Sequence, residues 1–180
     1  VTGTCSTFRY NTNLNRAVAN ENNKTFGSGN STQTGTNNTL VMGENNTVRG
    51  FSRNSIITGN QNEIANGVNN ANVSGTLGEA TADNSKVLGG NANGDTLGER
   101  QSIQLLYGLQ TRDGVNTVSF LNNTTDSLFA IPDNTIMYFH ADVVAVRVGG
   151  THTPGSVGDY ASWVERGVII NKSGVLSISR

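Results

Sequence analysis

One phrase recurs in eight-residue register through the first half of the chain, and it constrains the fold more than any other feature. Asparagine stands at Asn22, Asn30, Asn38, Asn46, Asn54, Asn62 and Asn70. Glycine follows five residues later at Gly27, Gly35, Gly43, Gly59, Gly67 and Gly75, with Phe51 as the one interruption. The slot two residues after each Asn reads Leu40, Val48, Ile56 and Ile64 in the central copies. Self-similarity at a short fixed period marks a repeat architecture, in which each unit buries its apolar side only against its neighbours. Asparagine tolerates left-handed corners and glycine takes positive φ without steric cost, so each octad predicts a rung of about three extended residues between two turn residues.

A longer period lies inside the shorter one. Three residues after Asn, alternate copies carry Val41, Ile57 and Val73 against Gln33, Arg49 and Ala65; one residue after Asn they carry Thr39, Ser55 and Ala71 against Ser31, Thr47 and Glu63. The true repeat is therefore two octads, and its phrase returns at Asn84-Ser85-Lys86-Val87-Leu88-Gly89. Two rungs per coil predict a flattened solenoid with the slot residues meeting between its faces. At about 4.8 Å per coil, residues 22–75 give roughly three or four coils, a stack about 15–20 Å tall. So thin a roll calls for support. The apolar third position at Val41, Ile57 and Val73 predicts a second buried surface on one side, packed against copies of the same chain. The stacked asparagines are expected either to ladder their amides along the coil axis or only to cap turns.

Composition excludes several classes. A length of 180 residues allows one or two small domains with cores. Charged residues are only 14% and the net charge is −1, so the basic patch that nucleic acid or an anionic membrane requires is missing. The single cysteine, Cys5, rules out an internal disulfide and a multi-thiolate metal site. No apolar run is long enough for a membrane-spanning helix, and no charged-then-apolar signal region opens the sequence. A start at Val1 rather than methionine leads us to expect a processed or trimmed piece of a longer protein.

Chained head to tail over residues 22–90, the Gly-x-x-Asn-x-aliphatic units resemble the left-handed parallel β-roll head repeats of trimeric autotransporter adhesins and similar arrays in bacteriophage tail fibres. The resemblance implies a homotrimeric β-roll.

After Gly94 the repeat ends and aromatic and β-branched residues take over. Strands are expected at residues 102–109, 115–121, 126–130, 135–148, 160–171 and 174–179, between turn residues. In the fourth, one face carries Met137, Phe139, Ala141, Val143, Ala145 and Arg147, the other Tyr138, His140, Asp142, Val144, Val146 and Val148. Both faces are apolar toward the end, which predicts cover on both sides, by a core and by a neighbouring subunit. The succession Ile131-Pro132-Asp133-Asn134-Thr135, Val144-Ala145-Val146-Arg147 with Gly149-Gly150, and Trp163-Val164-Glu165-Arg166-Gly167-Val168-Ile169 is similar to a β-sandwich module at the distal ends of phage tail fibres and tailspikes. In those proteins it commonly follows β-roll repeats.

Catalytic and metal signatures are absent from the sequence. His140 and His152 fit no metal-ligand spacing, and no nucleophile elbow occurs. The stretch Gly89–Asp95 only faintly matches a calcium-binding nonapeptide, out of its register. The carboxylates Glu44, Glu63, Asp142, Asp159 and Glu165 are candidates for a glycosidase pair but cannot be paired by spacing, and Glu165 is expected to pair with Arg147 across neighbouring strands. The loop at 149–160 and the aromatics beside it make His152, Asp159, Tyr160 and Trp163 the candidate receptor-binding residues, with a core role the alternative for Trp163.

Together these readings predict an all-β homotrimer: a connector at 1–21, an octad-repeat β-roll or β-prism stalk at 22–94, and a β-sandwich-like module at 95–180. The expected function is structural and adhesive, not enzymatic: a virion tail-fibre or tailspike segment, extracellular, mediating attachment to the host cell surface. Its expected partners are further copies of itself, other tail or baseplate proteins and a cell-surface receptor of the saccharide class. No cofactor, nucleic acid or membrane insertion is expected. A bacterial trimeric surface adhesin and a tailspike-type polysaccharide depolymerase are the alternatives.

Overall fold

The computed structural model describes residues 8–9, 22–92, 94–111, 117–122, 124, 126–149 and 155–180. Every regular element among them is a strand. The chain divides into two compact units, residues 1–109 with 119–127, and residues 110–118 with 128–180.

In the first unit, β1 (Phe8–Arg9) precedes an alternation of long and short rungs. The long rungs are β2 (Lys24–Ser28), β4 (Leu40–Glu44), β6 (Ile56–Asn60), β8 (Asn72–Thr76) and β10 (Lys86–Gly89). The short ones are β3 (Ser31–Thr32), β5 (Thr47–Val48), β7 (Glu63–Ile64) and β9 (Glu79–Ala80). Each set stacks in parallel, with Val41 opposite Ile57 and Ile57 opposite Val73 in one sheet, and Val48 opposite Ile64 in the other. The result is a β-solenoid of about four turns wound within one chain. Rungs of equal length were expected; the structure instead alternates five-residue and two-residue rungs, because the corners fall at different places in the two octads.

Those corners explain the sequence. Asn22, Asn38, Asn54, Asn70 and Asn84 all sit at φ between 52 and 56, turning the chain into the long rung. Asn30, Asn46 and Asn62 do not; there the left-handed residue is the one before, Gly29, Asn45 or Gln61. The glycines divide likewise. Gly43 and Gly59, at φ 120, lie outside the left-handed region open to asparagine, and a Cβ on either would collide with the next coil's glycine carbonyl. Phe51, at φ 61, follows Gly35 at φ 80 in a corner that is merely left-handed, so a side chain survives there and its ring lies over Gly35.

The core corrects the expected inward row. On the short rungs the slot residues Val48 and Ile64 do point inward and are fully buried. On the long rungs the inward residues are instead Val41, Ile57, Val73 and Val87, all at 0% exposure, while Ile56 is 40% exposed on the outer face. The third-position residues are thus the solenoid's interior and not a second buried surface. The physical reason is a one-residue phase difference: entering a rung through a left-handed Asn shifts the pleat relative to entering through the residue before it. Thr25, Thr32, Thr36, Thr39, Ser52 and Ser55 are buried with them, which suits a cavity too narrow for large side chains at every level.

Both ends of the long sheet are covered by antiparallel strands, β1 on β2 and β11 (Gln101–Gln104) on β10. Ile103 lies opposite Val87 and packs on the core. The last coil is two residues shorter, pairing Val73 with Val87, and Gly89 comes so close to the backbone at Thr76 and Gly78 that it has no room for a side chain. Beyond it, β12 (Tyr107–Gly108) pairs with β13 (Phe120–Leu121), and Asn122 Nδ2 donates to the Asp83 carbonyl at 3.1 Å. The strand expected at 115–121 narrows to β13 among the described residues, since Asn122 turns left-handed and ends it, and the strand expected at 126–130 does not form.

The second unit is one antiparallel sheet of β14 (Thr135–Val146), β15 (Tyr160–Lys172) and β16 (Val175–Ser179) in that order. Ser173 and Gly174, both at positive φ, close β15 to β16 as a two-residue hairpin. Opposed residues share a face, which sets Met137, Phe139 and Val143 with Ile169 and Trp163, and Ile136, Tyr138 and Val144 with Ile170, Val168 and Ser162. The Met137 face is half-buried. The Tyr138 face, one of the two expected to be covered by a core and by a neighbouring subunit, is open in the single chain, where no described segment of this unit crosses it. The expected Arg147–Glu165 ion pair is absent as well: Glu165 lies opposite Ala141, whereas Arg147 exchanges backbone bonds with Asp159 and Gly158.

Candidate functional site

Two sets of residues were expected to carry function: the hairpin at 149–163 and the repeat positions. His152 lies outside the described residues. Asp159 is a turn closer: its carboxylate accepts from the Ser156 N–H, its own N–H donates to the Ser156 carbonyl at 3.1 Å, and its carbonyl accepts from Arg147 N at 2.8 Å. Tyr160 is 77% exposed and lies opposite Val146, on the Tyr138 face. Trp163 is 47% exposed and lies opposite Val143, on the other face. The pleat that separates positions 160 and 163 therefore sends the two aromatics to opposite sides of the sheet, and they do not form one patch. On the Tyr138 face, where the sequence had already set His140 and Asp142, the structure adds Arg166 from the neighbouring strand. His140 Nε2 and Asp142 Oδ1 stand 3.3 Å apart, and Arg166 lies directly opposite His140. Only the strand register could bring these three together.

The repeat positions build a ladder. Asn46 Nδ2 donates to Asn30 Oδ1 at 3.0 Å and to the Gly59 carbonyl at 2.8 Å, and Asn46 N donates to Asn30 Oδ1 at 3.0 Å. One coil on, Asn62 Nδ2 donates to Asn46 Oδ1 at 3.1 Å and to the Gly75 carbonyl at 2.9 Å. The run ends at Gly78, whose N–H donates to Asn62 Oδ1 at 2.8 Å. Asn46 and Asn62 are fully enclosed, and each amide satisfies backbone groups that two coils would otherwise leave unpaired. The corner asparagines stack differently, at the surface, as Asn38 Nδ2 to Asn54 Oδ1 at 3.2 Å and Asn70 Nδ2 to Asn84 Oδ1 at 2.9 Å. Amides thus ladder in both octads, enclosed in one and at the left-handed corners in the other.

Of the carboxylates, Glu63 receives a two-pronged bond from Arg49, Nε to Oε1 at 2.7 Å and Nη2 to Oε2 at 2.8 Å. Glu79 stacks one coil beyond Glu63; burial, and then the Glu63 charge, hold its carboxyl above its ordinary value. Asp95, in the faintly calcium-like stretch, accepts from Arg100 Nε at 2.9 Å and from Ala92 N at 2.6 Å, and the Arg100 bond is the main cause that lowers its carboxyl. Among the described residues no cluster of three or more His, Cys, Asp or Glu could hold a metal ion. The geometry supplies columns of amides, apolar surface and exposed aromatics, which is chemistry for assembly and contact.

No family model, curated protein or solved structure matches the chain.

Proposed function

We propose that the chain is a segment of a homotrimeric virion fibre, of the tail-fibre or tailspike kind, that attaches the particle to a host cell surface. The observation that carries this reading is the pairing of a capped parallel coil stack with an antiparallel sheet whose apolar face no described segment of its unit covers. A stack of identical rungs tied by internal amide ladders is stiff and offers proteases few open loops, which suits a spacer; an apolar sheet face suits packing against further copies. Three equivalent weak sites on one such assembly gain avidity on a surface that displays many receptors. Its place is on the virion and outside the cell, its partners are the other tail or baseplate proteins and a host receptor of the saccharide class, and it carries no catalytic group. Light scattering of the purified full chain tests the assembly: a mass near three times 19.0 kDa supports the reading, and a stable single-chain mass overturns it. Binding of the labelled chain to whole bacterial cells, competed by their surface polysaccharide, tests the attachment.

A further inference from the structure

The two faces of the three-stranded sheet are not equivalent. The Met137 face is half-buried: Asn171, 8% exposed, donates through Nδ2 to the Ile131 carbonyl at 2.9 Å, and the Phe139 ring lies over Gly167 opposite it. Among the described residues of this unit, none lies across the opposite face. Ile136, Tyr138, Val144 and Val146 of β14 and Tyr160 and Val164 of β15 are each at least half exposed there. They present area on the order of 1,000 Å², more than a typical monomer leaves in one patch and about what one partner gives to a standard interface. In the middle of this apolar field stand His140, Asp142 and Arg166, and among the described residues Arg166 has no ion-pair partner.

We infer that this Tyr138 face is the surface on which copies of the chain pack against one another, with Arg166 of each copy meeting Asp142 of a neighbour. Two features select a second copy over any other occupant. An apolar field of this size has to be hidden from synthesis onward, and another copy of the chain is the partner always present in equal number. The embedded charges are of both signs, so the face complements itself, while a partner of one sign would leave a buried charge unpaired. The inference rests on the trimeric-fibre reading for the number of copies, and it adds which face makes the contact.

Cysteine protection in the full chain tests it. With Cys5→Ser as background, a single thiol is placed by Val144→Cys on the bare face or by Ser156→Cys in the exposed hairpin. Val144 is 69% exposed in the single chain, so the new thiol is protected only if another copy covers it. The expected result is a trimer mass with maleimide labelling at 144 slower than at 156 by about ten-fold or more, the difference vanishing in denaturant. A trimer mass with equal labelling rates overturns this inference and leaves the fibre reading standing; a single-chain mass with equal rates overturns both. Asp142→Arg supplies an independent reading, since within the chain it leaves the backbone ladder untouched and removes only the exposed His140 contact. Loss of the trimer mass in D142R, with recovery when R166D is added to the same chain so that every contact is reversed together, supports the charge contact; a D142R trimer as stable to dilution as the parent overturns it.

Discussion

At the scale of single residues, chemically identical repeats perform different tasks. Asn46 lies inside the solenoid and its amide serves groups in two adjoining coils, whereas Asn54 turns a corner at the surface. Asn46→Ala is expected to lower stability by about 3 kcal/mol through orphaned buried groups, and Asn54→Gly to change it by less than about 1 kcal/mol. Urea unfolding midpoints of the two variants would check this. The glycine series divides in the same manner: Gly43→Ala is expected to prevent the coils from closing, while Phe51→Gly is expected to fold with a change under about 1 kcal/mol, read as soluble yield and thermal midpoint. Glu79 supplies a pH dependence. Its folded-state carboxyl is raised above the ordinary 4.5, so the folded chain holds the proton more tightly than the unfolded one between those two values. Stability should therefore fall as pH rises through that window, and Glu79→Gln should flatten the fall, as measured by unfolding at pH 4.5 and at neutral pH.

At the scale of elements, the solenoid rungs test which row is inside. Ile57 and Ile56 are adjacent and chemically identical, yet one is enclosed and the other 40% exposed. Ile57→Ala should cost about 2–5 kcal/mol and Ile56→Ala under about 1 kcal/mol in the same unfolding assay. Much of this element level was legible beforehand: the sixteen-residue register, the parallel stacking and the long strands at 135–148 and 160–171 all follow from residue spacing. The inward row on the long rungs was legible only in part. Leu40 and Val41, like Ile56 and Ile57, are both aliphatic, so there hydrophobicity does not choose and the left-handed Asn38 and Asn54 do, whereas Asn72 before Val73 and Lys86 before Val87 mark the third position as the inward one.

At the scale of the whole molecule, the two units face different problems. The solenoid has its own enclosed core and antiparallel strands over both ends of its long sheet. The three-stranded sheet has, among the described residues, one half-buried face and one open face. Unfolding of the first unit should be independent of protein concentration, while that of the second should shift to higher temperature as concentration rises, because assembly stabilises it by mass action. Calorimetry across a hundred-fold dilution, about 2 kcal/mol of mass-action leverage per chain of a trimer, separates the two. The sequence by itself determined an all-β chain, a coil of two octads and the site of its turns, because periodicity and the φ tolerance of Asn and Gly are properties of residue order. Only the tertiary structure decided that Tyr160 and Trp163 part to opposite faces, that Arg147 stays far from Glu165, and that His140, Asp142 and Arg166 meet on one of them. Those outcomes depend on which residue of one strand lies opposite which residue of another, and strand register is set by the turns and packing of the folded chain.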